Sequence, residues 1–557
     1  MKLTGAQIII KLLEMHGIDV IAGIPGGANL PLYDALHKSK IRHILTRHEQ
    51  GAGFIAQGIA RTTGKPAVCF ATSGPGATNI ITAIADAKLD SIPIITITGQ
   101  VPSSLIGTDA FQEVDTYGIT IPITKHNFLV RSASELLTVI PEAFRIAGSG
   151  RPGPVVVDVP KNVQTESIEF DSWPDINYTE TIRQPELPEI SRIAGMIKDS
   201  KRPVLYIGGG ITNSQAEELL IRFAEKNSIP VTSTLMGLGC FPADNPLYIG
   251  MIGMHGARYT NFILDKADLL LAFGTRFDDR ATGKVSKFCP HAKIVHVDID
   301  QAEINKIKKT HISISADIKD VLASLIPLTE QNSRTDWINE INALRESHPF
   351  MMPGNSDPLH PLNIIKYISE LLDSQSIVTT DVGQHQMWTA QGYPFRKPRT
   401  LLTSGGLGTM GFGLPAAIGA ALANPGKRVV CVSGDGSILM NIQELATLAD
   451  LNLDVTVVIF NNGHLGLVRQ QQEFFYERNY IASRFETNPD FVAISKGFGV
   501  NAYNIDSESD PVEVLSKAIS QSGPSLVNVP IRHGENVVPM VPPGAANFEM
   551  IGGVKHE

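Results

Sequence analysis

Little in this chain offers covalent or metal-based cross-linking. Four cysteines, Cys69, Cys240, Cys289 and Cys431, are spread over 557 residues. No two form a C-x-x-C pair, which argues against a zinc knuckle or a thioredoxin-like redox motif. Apolar neighbours around most of them predict buried free thiols, the state that suits a reducing compartment. Long hydrophobic runs are also missing. None reaches the ~18 apolar residues of a membrane span, so no membrane insertion is expected. The N-terminus reads as neither a signal peptide nor an Arg- and Ser-rich transit peptide. Thr4 instead caps a predicted amphipathic helix, and a cytoplasmic location is expected. Basic excess is absent too: 56 acidic residues face 47 basic ones, a net charge of −9. No general electrostatic field for nucleic acid exists, and no nucleic-acid partner is expected. The 49 glycines and 35 prolines are dispersed, which excludes collagen-like or low-complexity chains.

What is present is an α/β rhythm. Apolar runs of strand length occur at Ala67–Ala71, 92–98, 155–159, 204–207, Leu269–Phe273, 294–297, 429–432 and 455–460. Helical periodicity lies between many of them, as at 49–61, 77–88, 214–226 and 438–450. Unalternating strands separated by helices predict parallel sheets covered on both faces, hence a doubly wound α/β chain. A polar, Pro-containing stretch at 162–190 and a stretch at 329–358, a short helical segment flanked by polar residues, break the rhythm and read as linkers. They divide the chain into three doubly wound parallel-sheet domains, 1–185, 186–345 and 346–557. No short-period repeat is visible.

Three constellations carry chemistry. Gly434-Asp435-Gly436 follows the strand 429–432, and Asn461-Asn462 follows 455–460. Both clusters therefore lie at carboxyl ends of parallel strands, where open α/β sheets bind ligands. Glycines let backbone amides approach a phosphate, and a lone carboxylate with an amide oxygen suits Mg²⁺. The bland alternative is a strand-to-helix turn and an Asn-rich turn. Glu49 opens the helix 49–61 after the strand-like 41–46; alone, it is a favourable partner for the helix dipole. In the middle segment, Gly208-Gly209-Gly210 follows 204–207, Gly274-Thr275-Arg276 follows Leu269–Phe273, and Asp298-Ile299-Asp300 ends a strand. An acid at such a strand end can accept from a ribose hydroxyl, and Arg276 can pair with a diphosphate.

With 24 residues between its halves, the GDG and NN pair resembles the thiamine diphosphate motif of the pyruvate-decarboxylase-like enzymes. The resemblance extends over nearly the whole chain. It is nearest to the catalytic large subunits of acetohydroxyacid (acetolactate) synthases, closest to their isozyme I branch. The segments 47–52, 73–79, 107–113, 276–280, 408–415 and 539–547 carry it. It implies a pyrimidine-binding first domain, an FAD-binding middle domain and a third domain for diphosphate and Mg²⁺.

The resemblance implies thiamine diphosphate contacts from Pro25, Glu49, Gly74, Asn79, Gly383, Gln384, His385, Gly408, Met410, Gly434, Asp435, Gly436, Ser437, Asn462, His464, Leu465 and Gly466. Asp435, Asn462 and His464 would hold the metal. FAD, structural and without a redox task, would contact Arg151, Gly208, Gly209, Gly210, Thr234, Leu235, His255, Gly256, Gly274, Arg276, Asp278, Asp298, Ile299 and Asp317. Gly26, Phe111, Gln112, Lys125, Arg280 and Gln471 would face substrate. Glu49, Gln112, Lys125, Arg280 and Met410 would be catalytic. In this family a carboxyl such as that of Glu49 bonds the aminopyrimidine and relays a proton, and Met410 props the cofactor from beneath. Arg280 would take the carboxylate of the second ketoacid, although alone it would be a surface ion pair with Asp278 or Asp279.

The implied reaction decarboxylates pyruvate and condenses the remaining unit with a second ketoacid. Pyruvate gives 2-acetolactate and 2-ketobutyrate gives 2-aceto-2-hydroxybutyrate, in valine, leucine and isoleucine synthesis. A homodimer or dimer of dimers and a separate small regulatory subunit are implied partners. Intact Glu49, Asp435 and Asn462 argue against a non-catalytic nucleotide-binding protein. Segments 107–113 and 276–280 argue against a pyruvate oxidase. Gln471 departs from the pattern, since most members have Trp there. Loss of that apolar contact predicts little discrimination in favour of 2-ketobutyrate.

Overall fold

The computed structural model describes residues 1–178, 183–354, 356–506 and 509–553. The chain opens with β1 (Lys2–Thr4), and Thr4 caps the helix Gly5–Met15. Its hydroxyl accepts the Gln7 N–H while the Gln7 side chain accepts the Thr4 N–H, a reciprocal pairing that satisfies two free amides. Ile8, Ile9, Leu12 and Leu13 of this helix are buried.

The first sheet contains β2 (Val20–Gly23), β3 (Arg42–Leu45), β4 (Ala67–Ala71), β5 (Ile94–Gln100), β6 (His126–Leu129) and β7 (Val155–Pro160). Their spatial order is β3-β2-β4-β5-β7-β6, all parallel. A short helix, Lys161–Thr165, then leads to β8 (Ser167–Glu169), which pairs antiparallel with β1. Part of the stretch expected to be a linker is thus tied back to the N-terminus.

The second sheet contains β9 (Pro203–Ile207), β10 (Val231–Ser233), β11 (Tyr248–Met251), β12 (Leu269–Phe273), β13 (Lys293–Asp298) and β14 (Ile312–Ser315), in the order β11-β10-β9-β12-β13-β14. The third contains β15 (Ile377–Thr380), β16 (Leu401–Leu402), β17 (Val429–Gly434), β18 (Val455–Asn461), β19 (Asn501–Asn504) and β20 (Ser525–Pro530), in the order β16-β15-β17-β18-β20-β19. These strands too are all parallel. Strands β4, β5, β7, β9, β12 and β17 are buried along their whole length. Burial on both faces is why their sequences run apolar without alternation.

Some of the helical expectations change. The periodicity at 77–88 belongs to two helices, Pro75–Asn79 and Ile81–Asp90, that meet at Ile80. The periodicity at 438–450 yields a helix only over Glu444–Leu451, because Asn441 is drawn into a turn where it donates to the Gly411 carbonyl. The short helical segment expected within 329–358 is the helix Thr335–Ser347, which buries Trp337 and Ile341 against the middle sheet's core.

The first and third domains pack directly. One apolar cluster runs from Ala52, Phe54 and Ala83 to Phe412, Ile418 and Leu445. Across it, the helix Glu49–Thr63 lies against the helix Gly413–Ala423. A Cβ on Gly58 would collide with the Ala416 carbonyl, and one on Gly419 with that of Ile55; glycine is what permits this approach. All four cysteines are buried and free. Among the described residues, no helix is long and apolar enough to cross a membrane.

Candidate active site

In the third sheet the chain moves from β15 to β16 on one side and continues from β17 on the other. The switch point between β15 and β17 is where such sheets open a crevice. A pocket of about 200 Å³ lies there. Gly383, Gln384 and His385 enter it after β15, and Gly408 and Met410 from the turn after β16. Gly434, Asp435, Gly436 and Ser437 come from the end of β17, and Asn462, His464, Leu465 and Gly466 follow β18. All the third-domain cofactor residues expected from the sequence thus meet in one place. Val382, Trp388, Phe460, Leu467, Val468 and Ile531 complete the lining. Sequence reasoning missed these; most neighbour a motif residue, but nothing marks Ile531.

The pocket's polar groups suit an anion with a hard cation. The Asp435 carboxylate accepts the N–H groups of Gly436 (2.9 Å), Asn462 (3.2 Å) and Gly463 (2.6 Å). Burial nevertheless pushes its pKa up to about 6, leaving it ionised at neutral pH. The Asn462 amide oxygen accepts the His464 N–H, and its NH₂ reaches Gln384 at 3.4 Å. Among the described residues, no cluster of three His, Cys, Asp or Glu could hold a metal. A cation here would draw on one carboxylate, amide and backbone oxygens and its ligand's own oxygens, the set Mg²⁺ prefers. His385 is buried, with Nε2 lacking a partner. Burial pushes its pKa down to about 3, so it is neutral. A Cβ on Gly434 would stand 2.8 Å from its Nδ1.

A second group of the expected residues gathers in the first domain. Glu49 starts its helix after β3, capped by His48, whose Nδ1 accepts the Gln50 N–H at 3.1 Å. Only 8% of Glu49 is exposed, and its carboxylate accepts from the Asn79 amide at 3.0 Å. Cβ atoms on Gly26 and Gly76 would press on Thr72, and that on Gly76 would also lie 3.4 Å from the Glu49 carboxylate. Gly74, at φ +57°, lets the Gln112 backbone close in; a Cβ there would be 2.8 Å from Gln112 Cα. Thr72 Oγ1 is buried without a partner. Sequence reasoning passed over it, since a strand-end threonine is ordinary. Pro25 is exposed, as is Phe111, at 88%. Lys125 serves a helix end, donating to the Ile146 carbonyl at 2.5 Å and to that of Ser149. No residue of the first domain lines the Asp435 pocket.

In the middle sheet, the carboxyl ends of β9, β10, β12 and β13 carry Gly208–Gly210, Thr234 and Leu235, Gly274–Arg276, and Asp298 with Ile299. A Cβ on Gly208 would collide with the Gly274 carbonyl, so the two turns touch at the switch point between β9 and β12. Asp298 accepts the Asp300 N–H at 2.9 Å, and burial pushes its pKa up to about 6. Asp278 and Asp317 act as helix caps, accepting the N–H groups of Ala281 and Lys319; Asp317 also takes the Ser214 hydroxyl. His255, beside Gly256, is buried with Nδ1 unpartnered, and burial pushes its pKa down to about 4. Arg276 reaches the Leu89 carbonyl at 2.6 Å. Arg151 crosses the other way to Asp300 (3.2 Å) and Glu303 (2.6 Å). Arg280 faces Asp279 at 3.7 Å with 65% of its side chain exposed. Gln471 is exposed on the helix Gly466–Phe475.

Comparison with known proteins adds the following. Three descriptions of the thiamine pyrophosphate enzyme family match in succession: the N-terminal TPP binding domain over residues 3–119, the central domain over 190–325, and the C-terminal TPP binding domain over 381–529. Over 554 residues the chain is 57% identical to the acetolactate synthase isozyme 1 large subunit of Escherichia coli (strain K12), covering 99% of this chain and 98% of that one. It is 45% identical to the isozyme 2 large subunit of the same strain, over 99% of both chains. It is also 45% identical to the chloroplastic acetolactate synthase of Arabidopsis thaliana, over 98% of this chain and 84% of that one.

Proposed function

Because the chain belongs to the thiamine pyrophosphate enzymes and, among them, to the acetolactate synthase large subunits, we propose that the Asp435 pocket and the Glu49 cluster are complementary halves of one cofactor site. Its activity is thiamine-diphosphate-dependent acetolactate synthesis. The finer assignment is this. Asp435, Asn462 and His464 hold Mg²⁺ and the diphosphate, with the glycine turns beside them. Glu49, Asn79 and the Gly74 turn receive the aminopyrimidine.

Bound thiamine diphosphate supplies the nucleophilic carbon and the electron sink for losing CO₂ from a 2-ketoacid. The chain's residues do the rest. Glu49 holds and returns one proton at the aminopyrimidine, its carboxyl oriented by Asn79 and shielded from water. Met410 offers an adaptable apolar surface beneath the cofactor. Gln112 and Lys125 belong to the substrate side. Arg280 exchanges its exposed contact with Asp279 for the carboxylate of the second ketoacid, pyruvate or 2-ketobutyrate. The strand ends of the middle sheet would hold FAD in a structural role, beside the contacts of Arg151 with Asp300 and Glu303 and of Arg276 with the Leu89 carbonyl that tie this sheet to the first domain.

The lining of the Asp435 pocket carries the assembly reading. The Asp435 pocket has no first-domain lining within one chain, so Glu49 of a second copy completes it in a homodimer or dimer of dimers. Relatives named as large subunits support a separate small regulatory subunit. The domains are taken as 1–185, 186–345 and 346–557, the location as cytoplasmic and the pathway as that of valine, leucine and isoleucine.

Purified protein given thiamine diphosphate, Mg²⁺, FAD and pyruvate should make acetolactate without oxygen uptake. Oxygen uptake with acetate release would overturn the non-redox assignment of FAD. Mixing inactive Glu49→Gln and Asp435→Ala proteins under exchange conditions should restore activity that neither has alone. No recovery among verified mixed dimers would place both halves in one chain.

A further inference from the structure

The turn that carries Gly408 and Met410 is held from outside its own domain. Arg61, in the last turn of the helix Glu49–Thr63, has a side chain 5% exposed and faces two carboxylates, Asp86 at 3.1 Å and Asp90 at 2.8 Å, whose side chains have no exposure. One cation against two anions at such depth is costly unless the remaining lone pairs are satisfied. The third domain satisfies them. Asp90 accepts the N–H groups of Gly405 (3.0 Å) and Gly406 (2.7 Å). Asp86 accepts the Thr409 hydroxyl (2.9 Å) and the Ser404 hydroxyl, while Ser404 Oγ accepts the Thr409 N–H at 2.8 Å. Arg61 also donates to the Thr403 carbonyl at 3.0 Å and lies over the Phe412 ring. On the far flank, Asp381 accepts the Gly411 N–H at 2.7 Å and Asn441 donates to its carbonyl at 2.8 Å. Gly408 and Met410 stand between these two anchored flanks.

We propose that Asp86 is a positioning residue for the active-site turn: by gathering Ser404 and Thr409, it sets where Met410 stands beneath the cofactor. The inference rests on reading Met410 as cofactor support. Ordinary domain docking does not need this arrangement. Apolar side chains of similar volume hold such contacts at lower cost, and the adjoining cluster of Phe54, Phe412 and Ile418 already does so. Burial and the neighbouring Asp90 hold Asp86 above the usual carboxylate range, a further cost that directional bonds to one turn offset.

Three variants test it. Thr409→Val removes one hydroxyl and keeps the shape. Asp86→Asn keeps one acceptor oxygen and sets an NH₂ donor against either Arg61 or the two hydroxyls, which now bond opposite carboxylate oxygens. Met410→Ala is the reference. Thr409→Val and Asp86→Asn should lower kcat roughly ten- to a hundredfold, the scale of a misplaced active-site group. KM for pyruvate should stay within about twofold, because ground-state binding is untouched. In cofactor-free protein, amide exchange should rise over 404–411 and stay unchanged in the helices Glu49–Thr63 and Gly413–Ala423. Unchanged kcat in both variants, with Met410→Ala impaired, overturns the proposal and leaves the site reading intact. Unchanged kcat in Met410→Ala removes the site reading, and the proposal with it. Exchange rising equally in both helices reduces Asp86 to a general stabiliser. If Asp86→Asn does not fold, Thr409→Val decides by the same measurements.

Discussion

The first and third sheets thread their strands alike: numbered within each sheet, both run 2-1-3-4-6-5, whereas the middle sheet runs 3-2-1-4-5-6. Like positions then carry unlike chemistry. After the second strand, the first domain presents Glu49 at a helix start, and the third presents the Met410 turn before its own helix. Those two helices are the ones that pack together through Gly58 and Gly419. After the third strand stand Thr72 and Gly74 in one domain and Gly434-Asp435-Gly436 in the other. The shared scaffold sets where ligand atoms can lie, and the turns decide which atoms. In the proposed assignment, one domain offers a shielded acid to a heterocycle and the other offers oxygens and amides to a phosphate and a cation. The middle sheet's order is that of dinucleotide-binding folds, consistent with the role proposed for it.

If the two domains divide chemistry in this way, lesions in them should fail differently. Glu49→Gln should retain cofactor binding and lower kcat by the roughly 10²–10⁴-fold typical of a lost acid–base group. Near-normal turnover would remove the first domain's acid from the reaction. Asp435→Ala should instead weaken Mg²⁺ and thiamine diphosphate together, by more than the roughly 10- to 100-fold that loss of an outer-shell metal partner costs. Titration calorimetry showing both bound as before would dissolve the contrast between the domains.

The third domain's half was legible in the sequence because its chemistry is local. GDG and NN are each contiguous, each ends a buried and largely apolar strand, and the residues assigned around them line one pocket. The first domain's half was less so. Thr72 stands out only through an unpartnered hydroxyl, beneath the close packing of Gly26 and Gly76. Edge strands such as β16, two residues long, and β19, partly exposed, left no apolar run to read. The kinship of the two sheets was invisible because strand order is a matter of long-range pairing. Its one local trace is Val155–Pro160, VVVDVP, beside Ser525–Pro530, SLVNVP.

Two smaller perturbations probe the shared scaffold itself. Gly58→Val would drive a side chain into the Ala416 carbonyl and should cost roughly 3 kcal/mol by overpacking the helix pair. An unaltered melting temperature would mean that the pair is not tightly held. Asp158 occupies the fourth position of β7, where β20 has Asn528. It accepts from Thr98 (2.6 Å) and Gln100 (3.0 Å), and burial pushes its pKa up to about 7. An unfolded Asp ionises near 4, so the native state loses stability as pH rises between about 4 and 7. Asp158→Asn, which makes the first domain resemble the third, should therefore stabilise by up to roughly 4 kcal/mol above pH 7 and by little below pH 4. A gain independent of pH would rule out the buried carboxyl as its source.

The mildest test concerns specificity, which the comparison assigns to turns and not to sheets. Gln471 is exposed on the helix Gly466–Phe475, directly after the pocket-lining Gly466, Leu467 and Val468. Its neighbour Gln470 is buried and bound to Gln384 and to the Val537 backbone. The helix is thereby anchored on one side and presents position 471 on the other. A polar side chain there offers no apolar wall for the extra methyl group of 2-ketobutyrate. Burying one methylene gains about 0.8 kcal/mol, and a packed aromatic ring adds about as much again. With both ketoacids supplied, the protein should form its two products close to the supplied ratio. Gln471→Trp should shift them toward 2-aceto-2-hydroxybutyrate by roughly one decade, with no change in the affinity for Mg²⁺ or thiamine diphosphate. A strong preference for 2-ketobutyrate in the unaltered protein would move the discrimination to another residue, and a lost cofactor affinity in the variant would show that position 471 belongs to the third domain's anchoring surface and not to its substrate side.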